Sequence, residues 1–391
     1  MTTRHKLTQR RRYITDQQPD LIIRAGRVFC ADTGLDGPGA VAVRGDRIVA
    51  SGPNVSGPAK QTLDFPDGTL LPGLVDLHAH PGPETWRFAV DADTNMLARG
   101  STTVLSQGDA GSATWSYYRD EIIGRAKTRI RLAMSASVLG EYLDRGCVIH
   151  LEEVDVDRCV AAMEEGGDLI WGVAILLTAK ATGNNDPREI MRRTVEIAER
   201  TGKPIIYGLR REPSDWPLAE QLAMLRSGDI FTYCFHDDAE SIVSDGRIVD
   251  SVWEARERGI LFDSGFGIGG PDLGIAEAAI KDGFLPDTVS TDVHNRHRGY
   301  SPPHDMPSTL ARIISVGMPE AEAFKRATLR PAEILGLDGE IGTLAPGACA
   351  DLTILSNSPK PMLLANSENG GHHGPNLEPT LTVRGGEVVS T

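Results

Sequence analysis

The sequence predicts an α/β fold: a (β/α)8 TIM barrel with a small composite β-sandwich domain built from both termini. Three observations predict it. Between residues 71 and 338, eight short apolar runs alternate with helix-like stretches over about 250 residues, the length and rhythm of such a barrel. The segments 20–70 and 339–391 on either side are rich in strand-like runs, and both contain a hairpin phrase. After the first strand of the alternation stands His78-Ala79-His80-Pro81-Gly82. A doubly wound open sheet would want a glycine-rich fingerprint there.

The elements follow in chain order. Residues 1–19 carry Arg4, His5, Lys6, Arg10, Arg11 and Arg12 with no apolar stretch behind them, so they read as a mobile basic tail rather than a signal peptide. Strands are expected at 21–23, 27–30, 40–43 and 47–50, the last two joined through a Gly45-Asp46 turn. The barrel strands fall at 73–80, 102–107, 130–138, 168–177, 204–209, 230–236, 260–264 and 288–294. Helices are expected near 91–99, 114–127, 155–165, 187–201, 217–227, 247–258 and 273–282, then 306–316 and 319–329. Gly100, Gly202, Gly228, Gly259 and Gly283 close most of them. Strands at 350–355 and 382–389 return to the composite domain. The Ser-, Asn-, Gly- and Pro-rich segment 356–379 between them reads as a loop.

Composition narrows the function. Hydrophobic residues are 40% and charged residues 24% of the chain, which excludes global disorder. The net charge of −14 repels nucleic acid and anionic membranes, and 5% aromatic residues leave little surface for base stacking. No apolar run is long enough to span a bilayer. Cys30, Cys147, Cys159, Cys234 and Cys349 form no Cys-x-x-Cys pair, so neither a disulfide framework nor a zinc knuckle is expected. The expectation is a cytoplasmic homo-oligomer acting on a small molecule, with no nucleic acid or membrane partner.

Barrel chemistry sits at the carboxyl ends of the strands. His78 and His80 end the first strand, and residues two apart on a strand share a face. Both imidazoles can therefore converge on one cation. Asp292 ends the eighth strand, which neighbours the first in a closed barrel, so its carboxylate can reach the same cation.

Several phrases carry a family resemblance. They are Leu71-Pro72-Gly73-Leu74-Val75-Asp76-Leu77-His78-Ala79-His80, Gly100-Ser101-Thr102-Thr103-Val104, Ser290-Thr291-Asp292 and the Gly342–Leu352 segment. With them the chain resembles the amidohydrolase superfamily from residue 20 to 391. Phe284–Asp292 and Asp305–Thr309 are similar to its dihydroorotase-like amidohydrolase/deacetylase branch, close to acetyl-mandelate esterases. The resemblance implies a metal-dependent hydrolase acting on an amide, cyclic amide or ester bond of a small metabolite. It also implies a metal pair held by the His-x-His, a carboxylated lysine on strand four, one histidine each on strands five and six, and the strand-eight Asp. The sequence departs from that pattern at three places. Ala174 stands for the lysine, Gly208 for the first histidine and Tyr233 for the second.

What remains is His78, His80 and Asp292, enough for one divalent ion: zinc, with manganese or iron as alternatives. Asp292 is the expected catalytic base as well as a ligand. Tyr207, Arg210, Tyr233, His236 and His294 are the expected substrate contacts. Lys180, Arg210, Arg211, Arg296 and Arg298 follow strand ends and could form a cationic rim for a carboxylate, unless Asp109, Glu141, Asp237, Asp238 and Asp272 pair with them at the surface. His294, His297 and His304 crowd one loop, where solvated imidazoles are the default. His372 and His373 are placed in the long loop, and Gly265–Gly270 reads as a mobile substrate cover. Two rivals stay open: a mononuclear barrel enzyme of another reaction type, such as a deaminase or decarboxylase, and a non-catalytic paralogue with the same fold.

Overall fold

The structure is a computed structural model that describes residues 18–142, 145–210, 213–238, 240–267, 271–364 and 372–389. Nearly all of the expected basic tail, Arg211 and residues 268–270 lie outside the described residues.

Hydrogen bonds join the two ends of the chain in one sheet. Strands β1 (Leu21–Cys30), β2 (Leu35–Arg44), β3 (Arg47–Gly52) and β4 (Gln61–Pro72) come from the amino end. β4 pairs antiparallel with a strand from the carboxyl end, Leu352 opposite Pro72 and Ser356 opposite Gly68. Leu21, Ile23, Val41, Val43 and Leu70 from one end then share a core with Leu352, Ile354 and Val383 from the other. Strand β4 was not expected, because Pro66-Asp67-Gly68 reads as turn chemistry. The structure absorbs that phrase in a register shift of β1 between Ala25 and Arg27. Gly26 makes the shift possible: a Cβ there would lie 1.9 Å from the Pro66 carbonyl oxygen.

The barrel strands are β5 (Leu74–Ala79), β6 (Ser101–Gln107), β7 (Arg129–Ser135), β8 (Ile170–Leu176), β9 (Ile205–Gly208) and β10 (Ile230–Thr232). After a small hairpin of β11 (Val243–Ser244) and β12 (Arg247–Ile248) comes β13 (Leu261–Phe262). All seven barrel strands pair in parallel, in the order β13-β10-β9-β8-β7-β6-β5. The expected eighth strand is not a regular strand. It closes the barrel by single bridges, Thr288 to Asp263 on one side and Val293 to Ala79 on the other. The reason is local chemistry. Several of its amides bond side chains instead of a ladder: Ser290 N–H to Ser264 Oγ at 3.0 Å, Thr291 N–H to Asp76 Oδ1 at 3.1 Å and Val293 N–H to Thr291 Oγ1 at 3.0 Å.

Helices cover the outside as their patterning predicts. Helix Pro187–Thr201 shows why. Asp186 caps its first turn by accepting from Arg188 N–H at 2.9 Å, proline opens it, and Gly202 ends it at φ 66°. It buries Ile190, Met191, Thr194, Ile197 and Ala198 on one stripe, each large apolar side chain contributing about 1.5–3 kcal/mol. The expected helix at 247–258 starts only at Asp250, because its first residues form β12.

The expected loop 356–379 is corrected. Strands β14 (Leu352–Leu364) and β15 (His372–Arg384) run through most of it and pair antiparallel, followed by β16 (Glu387–Val389). Prolines 359, 361, 375 and 379 hid them from the sequence reading, and register irregularities fall between Ile354 and Leu355 and between Ser358 and Met362. His372 and His373 thus lie on β15, not in a loop. No helix among the described residues is long and apolar enough to cross a membrane.

Asp351 fastens the composite sheet to the barrel. Its buried carboxylate takes Arg129 of β7 at 2.6 Å, Arg384 at 3.1 Å and the Gly385 N–H at 2.8 Å. Breaking such a pair strands a partly buried guanidinium. Asp351→Ala is therefore expected to cost about 3 kcal/mol, read as a lowered midpoint in denaturant unfolding. An unchanged midpoint would show that the junction does not depend on this carboxylate.

Candidate metal centre

β5 carries His78 and runs directly into His80, and both are buried at the barrel mouth. Asp292 arrives from the closing segment with φ 51°, a left-handed conformation that aspartate tolerates better than most residues. Its N–H donates to the His78 carbonyl at 2.7 Å, which fixes the two segments side by side. The Asp292 carboxylate then lies 3.0 Å from His80 Nε2 and 3.4 Å from His78 Nε2, both measured to Oδ1. Gly267 is required opposite: a Cβ there would sit 1.8 Å from Asp292 Oδ2.

Each imidazole is oriented from behind. His80 Nδ1–H donates to Asp109 Oδ1 at 2.9 Å, and Asp109 is itself held by Ser106 Oγ at 2.6 Å. His78 Nδ1–H donates to Thr232 Oγ1 at 2.8 Å, and Thr232 passes its own proton to Asp263 at 2.7 Å. Asp263 also accepts from Thr288 at 2.6 Å and Ser290 at 2.7 Å. These acceptors fix both tautomers so that Nε2 faces the common point, as the ligands of a metal ion require. A tetrahedral ion about 2.0–2.1 Å from each ligand sets them about 3.3 Å apart, close to the separations found. The residues present therefore fit a single divalent ion, and these three form a possible metal-holding group among the described residues.

The three groups also stabilise one another's charged forms. Burial opposes charge on all three groups, yet their mutual attraction outweighs it. Asp292 and Asp263 lift His78 to about 9. Asp109 and Asp292 hold His80 well above its ordinary value, and the two imidazoles hold Asp292 well below the usual carboxylate range.

The three departures from the family pattern have visible consequences. Ala174 and Gly208 put no ligand into the mouth. A Cβ at Gly208 would lie 2.6 Å from Leu176 Cδ1, so leucine fills space that an imidazole would need. Tyr233 turns its hydroxyl to within 3.1 Å of His78 Nε2, with its ring set edge-on to that imidazole at 4.7 Å. Its φ of 61° is unusual for an aromatic residue. Strain of that kind concentrates at functional sites.

A cavity of about 300 Å3 opens over the cluster. Of the expected substrate contacts, Tyr233 and His294 line it. Tyr207, Arg210 and His236 are not among its walls. Tyr207 donates to Gln221 at 2.6 Å, and Arg210 is clamped by Asp215 at 2.8 and 3.0 Å and by Thr182 at 3.1 Å. His236 pairs with Asp238 at 2.9 Å. Among the cationic candidates Lys180 and Arg296 line the cavity, joined by Arg87, which sequence reasoning had not singled out. Arg298 instead pairs with Glu84 at 2.7 Å.

The acidic residues do not behave as one surface set. Asp109 is buried behind His80, Glu141 lines the cavity and Asp272 caps helix Leu273–Lys281. The loop histidines are buried rather than solvated. His297 stacks on His304 at 3.6 Å, and burial pushes His294 to about 4, His297 to about 2 and His304 to about 4. Asp263 and Thr232 had been passed over. Their signal was their place, since both sit at carboxyl ends of barrel strands.

Comparison with known proteins agrees with this geometry. The amidohydrolase family profile matches residues 251–389. A deacetylase of Enterococcus faecalis is 27% identical, covering 94% of this chain and 98% of its own length. A deacetylase of Agrobacterium fabrum is 28% identical over 80% of this chain and 77% of its own. Among solved structures, an adenine deaminase superposes with a TM-score of 0.85 and a dihydroorotase with 0.84. Each is 25% identical and covers 95% of this chain and 99% of its own.

Asp109→Asn is expected to weaken affinity for zinc by about 10–100-fold, the usual effect of losing a carboxylate behind a ligand histidine, with the fold intact. Metal titration followed by circular dichroism checks it, and unchanged affinity would remove Asp109 from the site. The motifs at both ends of the barrel, the profile matched over residues 251–389 and the relatives point the same way: this chain is similar to the amidohydrolase superfamily, and within it to the dihydroorotase-like branch.

Proposed function

We propose that the protein is a metal-dependent hydrolase that cleaves an acyl amide of a small anionic metabolite, in the manner of a deacetylase. The observation that carries this reading is the cavity itself. His80 and Asp292 of the cluster line it, together with Arg87, Lys180, Arg296, Phe88 and Leu176. At about 300 Å3 the space is at the lower end for ligand sites, which suits an acetylated amino acid better than a polymer. The deacetylases among the relatives support the reaction class.

One ion, zinc by its ligand set, would be held by His78, His80 and Asp292 and would polarise the carbonyl and lower the pKa of bound water to about 7. The chain's own groups supply the rest. Asp292 takes the proton of the attacking water, its ionised state held by the imidazoles beside it. The Tyr233 hydroxyl is placed to donate a hydrogen bond toward the carbonyl oxygen as charge develops there. Lys180 and Arg296 attract and orient the carboxylate.

One observation favours a second reading, a non-catalytic paralogue. Asp292 already accepts from His80, and Tyr233 meets His78, so the cluster is satisfied by its own hydrogen bonds. Elemental analysis separates the two. Protein purified without chelator is expected to carry one divalent ion per chain and to hydrolyse members of an N-acetyl-amino-acid panel. No bound metal and no turnover would favour the paralogue, and two tight ions would mean that ligands have been overlooked. Asp292→Asn is expected to lower turnover at least about 100-fold with the fold retained, whereas His78→Ala loses the ion. Near wild-type rates in Asp292→Asn would end its role as base.

A further inference from the structure

Among the described residues two carboxylates line the cavity, Asp292 and Glu141, and only the first belongs to the family pattern. Glu141 follows β7. Its N–H donates to the Gly108 carbonyl at 2.9 Å, which holds it at the end of β6. A Cβ built on Gly108 would lie 3.4 Å from Glu141 Oε1, so the carboxyl group rests against bare glycine backbone. No ion pair or hydrogen bond engages that carboxyl group among the described residues. The groups around it are His80, Arg87, Asp109 and Asp292, with Cys147 and Lys180 in the same wall.

The two carboxylates sit in different surroundings: Asp292 lies beside the two imidazoles, and Glu141 rests against bare glycine backbone. Burial is the largest influence on Glu141, and with the negative charges of Asp109 and Asp292 it lifts the group to about 7 against the pull of His80 and Arg87. Paired carboxylates with opposed environments divide naturally into base and acid.

We propose that Glu141 is a further catalytic residue, the general acid that hands its proton to the leaving nitrogen. This rests on the hydrolase reading above. In the step, the water oxygen bonds to the carbonyl carbon as one water proton passes to Asp292. The carbon–nitrogen bond then breaks with its electron pair going to nitrogen, and the Glu141 O–H bond supplies the proton that completes the amine. The proton on Asp292 returns to Glu141 through solvent, so one amide and one water become one acid and one amine.

The test uses leaving groups of different basicity. An alkyl amine cannot leave without a proton, whereas nitrophenolate can. With the zinc-loaded full chain, Glu141→Gln is expected to lower kcat on N-acetylglycine at least about 100-fold. On 4-nitrophenyl acetate the loss is expected to stay under about tenfold, far below a general-acid effect, with zinc content unchanged. Equal losses on both substrates, or none on the amide, would overturn the assignment while leaving the hydrolase reading intact. A wild-type chain that cleaves neither overturns both. Infrared difference spectra of wild type against Glu141→Gln in mildly acidic buffer give a readout independent of turnover. A protonated-carboxyl band confined to wild type is expected, and its absence counts against the proposal.

Discussion

The structure depends on the hydrogen bond that each cluster histidine makes with its Nδ1. His80 leans on Asp109 at 2.9 Å, and His78 leans on Asp263 through Thr232. Without those acceptors each ring could flip or change tautomer, and its Nε2 would lose its direction. The acceptors have a second task. Asp263 also gathers the hydroxyls of Thr288 and Ser290, and Asp76 gathers both N–H and hydroxyl of Thr291 at 3.1 and 2.5 Å. The closing segment has too few backbone pairs to hold itself as a strand. Asp263 therefore both shuts the barrel and, through Thr232, aims His78, which ties the geometry of the cluster to the stability of the fold.

The replacements of the family ligands are mutually compatible. Removing a lysine and two histidines one at a time would leave buried polar groups without partners, a cost of about 1–3 kcal/mol each. Here the replacements are Ala174, Gly208 beside Leu176, and Tyr233 bonded to His78. Two are apolar and the third brings its own partner.

How much was legible in the sequence follows from which interactions are local. Strand and helix spacing is local, and helix Pro187–Thr201 announces itself by Asp186, Pro187 and Gly202. His78 and His80 were legible because a strand puts alternate residues on one face. Asp292 was legible because a barrel makes its first and last strands neighbours. Strand β4 was not, because Pro66, Asp67 and Gly68 speak for a turn while its partners β1 and β14 lie far along the chain, and the outer halves of β14 and β15 were not, because their prolines speak against a strand. Asp109 and Glu141 looked alike in sequence, two acids after barrel strands. Only the tertiary structure puts one behind an imidazole and the other on the cavity wall. Arg210 failed for the converse reason: Asp215, five residues away, claims it.

The overall charge bears on how the anionic substrate proposed above would reach this mouth. A net charge of −14 repels it at long range, yet salt screens exposed charges beyond about 8 Å at physiological ionic strength. Inside that distance the local charges decide. At the cavity these are Arg87, Lys180 and Arg296, while the carboxylates facing it are restrained: Asp292 by its imidazoles and Glu141 by burial. A divalent ion on the cluster would add positive charge at the deep side. The chain thus sets Arg87, Lys180 and Arg296 at its cavity against a net negative charge, so that the attraction of a carboxylate would rest on direct pairing with a guanidinium or ammonium group at close range.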